Sequence, residues 1–236
     1  TALLTNRAMQ AWLRCCGVLN STTGNAAIAR GWQSQVTDMS DQTYTKRIMN
    51  CPDQNLQAWA DRIRESFTDH PTTTLWGIWQ GVFGLAAHQL IIVSAHPELE
   101  DNWQPPRDCE VERQWIVKAT VRPLSSTPLM RPGVYVFRDF WLPYEHLDEA
   151  VSLSSAAWQT FEEAEAYSAE PMGLFAPAQT MPSSQECRLH LLTWYPDFTS
   201  WETSRQSDPE AMRRFIARRE LTRSTQAVAT RLLLPA

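Results

Sequence analysis

The chain has 236 residues and a formal net charge of −5, with 43% hydrophobic and 20% charged residues. This balance is typical of a globular protein with a hydrophobic core, and it disfavours a disordered chain or a nucleic-acid platform. No run approaches the ~18 consecutive apolar residues of a membrane-spanning helix, and the eight glycines form no phosphate-binding loop motif. We therefore expect no nucleic-acid partner and no membrane span.

Residues 1–38 differ in composition from the rest of the chain. They are rich in Ser, Thr, Asn and Ala, and they carry Asp38 as the single acid beside three arginines. One interpretation is a mitochondrial transit peptide, which shares this composition. The other, which we favour, places the true start at Met39. In both cases we expect this leader to lie outside the fold, and the location to be cytoplasmic, or mitochondrial if the leader is a transit peptide.

Two parts of the remaining chain repeat one another in sequence. The first block aligns without a gap, so that Arg47 stands opposite Arg138. Three blocks match in the same order, namely 44–56 with 135–147, 75–79 with 171–175, and 89–99 with 188–198. Three ordered matches indicate an internal duplication. The offset between the copies grows along the chain, as insertions in the second copy would require.

The hydrophobic pattern predicts one order of elements for both copies. In the first copy a strand over 43–51 leads to a helix with Asp53 as its N-cap, and strands follow at 74–83, 87–95 and 113–122. In the second copy the predicted elements are a strand at 134–142, a helix to about 168, strands at 172–176 and 186–194, a helix from Pro209 to about Arg223, and a strand at 226–234. The last helix has no clear counterpart in the first copy.

This order, βαββ(α)β, is typical of a ferredoxin-like α+β unit, in which helices cover one face of an antiparallel sheet. We predict a first repeat over 39–124 with a reduced second helix, a linker over 125–132, and a second repeat over 133–236. The uncovered sheet faces can pack against each other and form a barrel with a central cavity. Alternatively, each half pairs with another chain, which would make the protein a homo-oligomer.

Three segments resemble a known family. They are GVYVFRDFWLP with the following LDEAV at 133–151, LLTWYPDFTSWE at 191–202, and DPEAMRRFIARRELTRST at 208–225. On the basis of these segments, the chain from about residue 39 to residue 236 resembles the NIPSNAP family of the dimeric α/β-barrel superfamily. The resemblance implies tandem repeats that form a dimeric α/β-barrel-type pseudo-dimer. That superfamily includes cofactor-free monooxygenases, haem enzymes, small isomerases and members without known activity, so the fold does not decide the chemistry.

Positions that are apolar in one copy and polar in the other mark candidate site residues. Asp139 stands opposite Ile48, and His190 opposite Ile91. Arg188, which stands opposite Gln89, shares a face of its strand with His190 and Trp194, while the alternate residues Leu189 and Leu191 are expected under the helices. On strand 134–142, Asp139 shares a face with Tyr135, Phe137 and Trp141.

If both polar faces line the barrel, His190 and Asp139 form a candidate general base that could take a proton from an acidic carbon or a phenol. Arg188 would then hold an anionic group of the ligand. The further ligand-contacting candidates are Trp194, Tyr135, and the two strand-end residues His96 and Tyr195. The alternative is that the polar residues satisfy one another and bind nothing.

Local motifs give no metal site, since the sequence has neither a C-x-x-C pair nor an H-x-H cluster. We expect no cofactor, with a haem on His190 or His96 as the exception. Strand alternation sends Trp76 and Trp79 to opposite faces, so that at most one of them lines a cavity. The expected function is binding of a small, partly apolar ligand in the barrel, with cofactor-free proton transfer or oxygenation. The alternative is a non-catalytic assembly module with a packed barrel.

Overall fold

The structure is a computed structural model that describes residues 42–99, 101–163, 168–205 and 209–235. The predictions made for the leader concern residues outside these ranges. No helix in the described ranges is both long and apolar enough to cross a membrane.

Both repeats form the predicted strands and their first helix. The first repeat contains β1 (Thr43–Asn50), α1 (Leu56–Ser66), β2 (Thr74–Phe83), β3 (Gln89–His96) and β4 (Glu110–Ala119). The second contains β5 (Val134–Pro143), a 3₁₀ turn (Tyr144–His146), α2 (Leu147–Glu163), β6 (Glu170–Pro177), β7 (Glu186–Tyr195), α3 (Phe198–Thr203), α4 (Pro209–Leu221) and β8 (Ser224–Leu232). The described residues between β3 and β4 form no helix.

The eight strands close into one antiparallel barrel with the order β1-β3-β2-β8-β5-β7-β6-β4. Each repeat contributes four neighbouring strands in the same internal order, β4-β1-β3-β2 in the first and β8-β5-β7-β6 in the second. The pairs β2–β8 and β4–β6 join the two sheets. Among the described strands, closure leaves no sheet edge open to other chains. The predicted tandem pseudo-dimer is confirmed.

The helix α1 begins three residues later than Asp53, so the predicted N-cap is wrong. Its N-cap position is Asn55. The Asp53 carboxylate instead accepts from the backbone N–H of Asn55, at 2.8 Å, and from Trp59 Nε1, at 2.9 Å. An Asx-type turn competes with the helix for these backbone groups, and here it delays the helix.

The three largest hydrophobic clusters of the described residues follow from the alternation of the strands. The helix α1 covers Met49, Leu90 and Ile92 on the outer face of the first sheet. The helix α2 covers Leu189 and Leu191 on the outer face of the second. The barrel interior is mostly aromatic and contains Tyr44, Trp76, Trp79, Tyr135, Phe137, Phe175 and Trp194.

Trp76 and Trp79 both lie inside the barrel, which corrects the prediction from alternation. Their ring centroids are 6.1 Å apart, and both side chains are buried. The register between β2 and β3 shifts between Leu75 and Gly77, so that Trp76 is an extra, unpaired residue. Such a β-bulge changes the direction of a side chain and breaks the two-residue period. The register of β6 shifts at the equivalent place, between Pro171 and Gly173.

Candidate functional site

Asp139 and His190 face each other inside the barrel. They are register partners on β5 and β7, and His190 Nδ1 lies 2.8 Å from Asp139 Oδ1. The other face of β5 carries Val134 and Val136, which pack with Phe198 of α3. Strand alternation alone does not decide which face of β5 points inward. The packing of these valines assigns the Asp139 face to the interior.

Lys46 of β1 completes this polar cluster, although it was not among the site residues predicted from the sequence. Its Nζ donates to Asp139 Oδ1 at 2.9 Å and lies 3.3 Å from His190 Nδ1. Lys46 aligns with Phe137 in the duplication. The criterion of one polar and one apolar partner, which selected Asp139 and His190, would therefore also have selected Lys46. We call Lys46, Asp139 and His190 the interior triad.

Burial governs the protonation of the interior triad. It lowers the pKa of His190 to about 4, and the charge of Lys46 acts in the same direction against the opposing effect of Asp139. Burial alone would raise the pKa of Asp139, but contacts with His190 and Lys46 hold it well below its usual range. Burial also lowers the pKa of Lys46, although Asp139 opposes this. At neutral pH a carboxylate therefore accepts from a neutral imidazole, whose Nδ1 carries the proton.

Arg188 stands at the end of the barrel next to the interior triad. Its Nη1 lies 3.7 Å from Asp139 Oδ2. The guanidinium carbon is 4.8 Å from the ring centre of Trp115 and 4.4 Å from that of Trp141. Contacts with two indoles hold a planar cation in a defined position while part of it stays exposed to solvent.

A cavity of about 100 Å³ opens at this end of the barrel. We call it the mouth cavity, and the polar groups lining it include Lys46, Asp139, Arg188, Glu112 and Gln226. His190 does not line it; it borders a gap of about 10 Å³ deeper in the barrel and a separate cavity of about 660 Å³, which Trp115, Trp141 and Arg188 also line. The prediction of an open cavity in the centre of the barrel is therefore wrong. The aromatic side chains fill the middle of the barrel, and a small polar space remains at one end.

Tyr135 and Trp194 do not line the mouth cavity, contrary to prediction. The Tyr135 hydroxyl donates to the carbonyl of Arg131 at 2.7 Å, and Trp194 Nε1 donates to the carbonyl of Pro132 at 3.0 Å. The Arg131 guanidinium also packs over the Trp194 ring, 3.1 Å from its centre. Both aromatic residues thus attach the segment before β5 to the barrel.

His96 and Tyr195 lie on the outer faces of the sheets, so their predicted place at the barrel rim is wrong. His96 Nε2 is 2.7 Å from Thr45 Oγ1, and its Nδ1 is 2.6 Å from the carbonyl of Glu98. Tyr195 packs with Val134 and Val136 beneath α3. Each is the residue before the proline that follows its strand, and at that position alternation points the side chain away from the barrel.

In sequence comparisons, no protein-family model matches the chain, and no curated protein does. Solved structures do match. An anthrone oxidase-like protein matches with a TM-score of 0.55 at 11% identity, over 81% of this chain and 91% of that one. A monooxygenase-like protein from Fusobacterium nucleatum matches with a TM-score of 0.53 at 7% identity, over 82% and 93%. A variant of chlorite dismutase from Candidatus Nitrospira defluvii matches with a TM-score of 0.54 at 8% identity, over 86% and 94%.

The expectation that the protein has no cofactor does not survive this comparison. Chlorite dismutases are haem proteins, so proteins of this fold include ones with a cofactor. Of the two histidines suggested for a haem, only His96 is excluded by its contacts. His190 is buried with its Nδ1 on Asp139, and it borders both a gap of about 10 Å³ and a cavity of about 660 Å³. Both ring nitrogens of His96 already have partners.

The strand order, the two equivalent sheets and the similar solved structures agree. At 7–11% identity these structures show the fold and nothing finer. The chain has a dimeric α+β-barrel fold, with both halves of the barrel in one polypeptide.

Proposed function

We propose that the protein binds a small carbonyl or enolisable compound at the mouth cavity and transfers a proton on it, with Lys46 as the proton-transferring group. The observation that carries this proposal is the buried Lys46 amine, which lines the cavity and lies 2.9 Å from Asp139. Burying a charged lysine is costly unless a partner compensates the charge, and Asp139 is that partner here. Perturbed ionisable groups beside a cavity are typical of functional sites.

Each polar residue has a defined task in this proposal. Burial lowers the pKa of Lys46, so more of its amine is neutral than in a solvated lysine; the neutral amine takes the proton from the acidic carbon or the phenol, becomes an ammonium, and returns the proton when the anion is protonated again. Arg188 holds a negative charge that develops on the ligand at the cavity entrance. Asp139 and His190 act as positioning residues, because they hold the Lys46 amine at the cavity wall.

The comparisons support chemistry of this class without identifying it. The similar structures include an anthrone oxidase-like and a monooxygenase-like protein. Removal of a proton from an acidic carbon or a phenol gives an electron-rich anion, and such an anion can react with dioxygen. Two expectations from the sequence remain part of this proposal. The first is that the second repeat is similar to the NIPSNAP family. The second is that the ligand is a partly apolar compound whose polar end enters the mouth cavity.

The test is exchange of acidic C–H protons for solvent deuterium, followed by NMR with acetylacetone as the probe. We expect wild-type protein to accelerate the exchange and K46M to lose at least about 100-fold of this acceleration. The matched control is K118M, which removes the only other lysine of the chain. Equal exchange rates in wild type and K46M, or no acceleration by wild type, would overturn the proposal.

A second candidate function is a non-catalytic assembly module. The aromatic filling of the barrel favours it, since Trp79 contacts Phe137 at 5.0 Å and Tyr135 at 5.8 Å between ring centres. A packed barrel of this kind stabilises the protein and leaves its middle closed to ligands. The exchange experiment distinguishes the two functions, because an assembly module would not accelerate C–H exchange as wild type, as K46M or as K118M.

A further inference from the structure

A second cavity lies on the outer face of the second sheet, under α3 and α4. Its volume is about 330 Å³, within the range of small-molecule sites. Four arginines line it, and none of its described lining residues is an aspartate or a glutamate. We call it the arginine cavity, and its arginines are Arg138, Arg205, Arg218 and Arg219. It is separate from the mouth cavity, because Arg138 and the adjacent Asp139 point to opposite faces of β5.

The first repeat shows what occupies the equivalent place there. Arg47, which aligns with Arg138, is buried and lies 2.6 Å from the buried carboxylate of Asp101. Ser94 Oγ donates to the same carboxylate oxygen at 2.8 Å, and His96 Nε2 lies 3.9 Å from it. Arg47, Ser94 and His96 thus surround one carboxylate group, which the chain itself supplies from the segment between β3 and β4.

The equivalents of these three residues line the arginine cavity. They are Arg138, Thr193 and Tyr195, by the same alignment that pairs the repeats. Among the described residues, no carboxylate lies within ion-pair distance of Arg138. The helices α3 and α4 follow β7 where the first repeat has the segment that carries Asp101. The second repeat therefore keeps the cation and the two polar neighbours, and a cavity takes the place of the anion.

The arginine cavity is electrostatically unfavourable as it stands. Burial lowers the pKa of Arg138, and the charge of Arg205 adds to this effect. Burial and the charge of Arg138 lower the pKa of Arg218 to about 9. Arg218 Nη1 donates to Ser154 Oγ at 2.9 Å, and its guanidinium lies 4.3 Å from the ring centre of Phe140. Arg218 is buried and Arg138 is half-buried, whereas Arg205 and Arg219 are exposed. An anion that binds beside Arg138 and Arg218 offsets the repulsion between these two cations.

We propose that the arginine cavity binds a small organic carboxylate. Its carboxylate group lies beside Arg138, Thr193 and Tyr195, in the place that Asp101 has beside Arg47, Ser94 and His96. The apolar part of the ligand packs on Trp158 and Phe140, which line the same cavity. Arginine suits this task because its planar fork matches a carboxylate with two parallel hydrogen bonds.

The test is calorimetric titration of the full chain with phenylacetate, its neutral analogue phenylacetamide, and phenyl phosphate. We expect phenylacetate to bind, phenylacetamide to give no detectable binding, and phenyl phosphate to bind no more tightly than phenylacetate. R138Q should weaken phenylacetate binding by about tenfold or more, the usual effect of losing a hydrogen bond to a charged group. The matched control is R213Q, which removes an exposed arginine of α4 outside the cavity and should leave the affinity unchanged.

A stability measurement distinguishes this site from a purely structural arginine cluster. Without ligand, R138Q should unfold at the same or a higher temperature than wild type, because it removes the positive charge that acts on the buried Arg218. R138K keeps the charge without the fork and should bind phenylacetate with intermediate affinity. The proposal is overturned if wild type binds none of the probes, if the amide binds as well as the acid, or if R138Q and R213Q have the same affinity. Tighter binding of phenyl phosphate would overturn the assignment to a carboxylate.

Discussion

Lys46 Nζ and Asp139 Oδ1 lie 2.9 Å apart inside the barrel, on strands that are equivalent in the two repeats. The positions that the duplication relates to them hold Phe137 and Ile48. The pair thus exists once, although its two strands exist in matched copies. Two departures from the repeat, one in each copy, meet at one end of the barrel and create its polar site.

Replacing Lys46 with Met should destabilise the protein by about 3 kcal/mol, since it leaves the buried Asp139 without its closest cation. It should also raise the pKa of His190, because the Lys46 charge helps to lower that pKa. Urea denaturation measures the first effect and an NMR titration of the imidazole the second. The control K118M should change neither quantity as much, and a His190 pKa that stays constant in K46M would contradict the contact.

Acidification should destabilise the fold through His190, whose pKa burial lowers from 6.5 to about 4. Between these pH values the unfolded chain binds more protons at this site than the folded chain, so the free energy of unfolding falls as the pH is lowered. The loss should be on the order of 3 kcal/mol. Denaturation curves across this pH window should show a smaller slope for H190Q, whereas H88Q, at an exposed histidine, should keep the wild-type slope.

Replacing Asp101 with Asn should cost about 3 kcal/mol, because Arg47 stays buried without its carboxylate partner. The smaller D101G leaves a space of carboxylate size beside Arg47, Ser94 and His96. Formate should therefore raise the unfolding temperature of D101G by more than that of wild type, as measured by differential scanning fluorimetry. An equal response of both proteins to formate would show that these residues do not form an anion site.

Gly77 and Gly173, which the duplication aligns, should both resist substitution by Ala. A methyl group at Gly77 would collide with the ring of Trp79, and one at Gly173 with the ring of Phe175. Crowding in a packed core typically costs about 1–3 kcal/mol. A double-mutant cycle by urea denaturation tests the cause, since G77A should cost much less in a W79L background. Costs that simply add would place the effect elsewhere.

The local period of the chain made much of the fold predictable. Strand alternation and the repeated blocks identified the eight strands, and they put Asp139 and His190 on strand faces that meet. Both patterns are visible in short stretches of sequence, so they can be recognised without knowing which strands pair. Helix ends were less predictable, as Asp53 shows, because one carboxylate can serve a turn or a helix N-terminus.

The sequence by itself determined the duplication, the order of elements and the polar departures from the repeat, because these are properties of neighbouring residues and their spacing. Only the tertiary structure decided that a bulge turns Trp76 inward, that Lys46 meets Asp139, and that aromatic side chains fill the middle of the barrel. It also decided that Arg47 has a carboxylate while Arg138 faces a cavity. Such contacts join residues far apart in the chain, so they depend on how strands pair and what covers them.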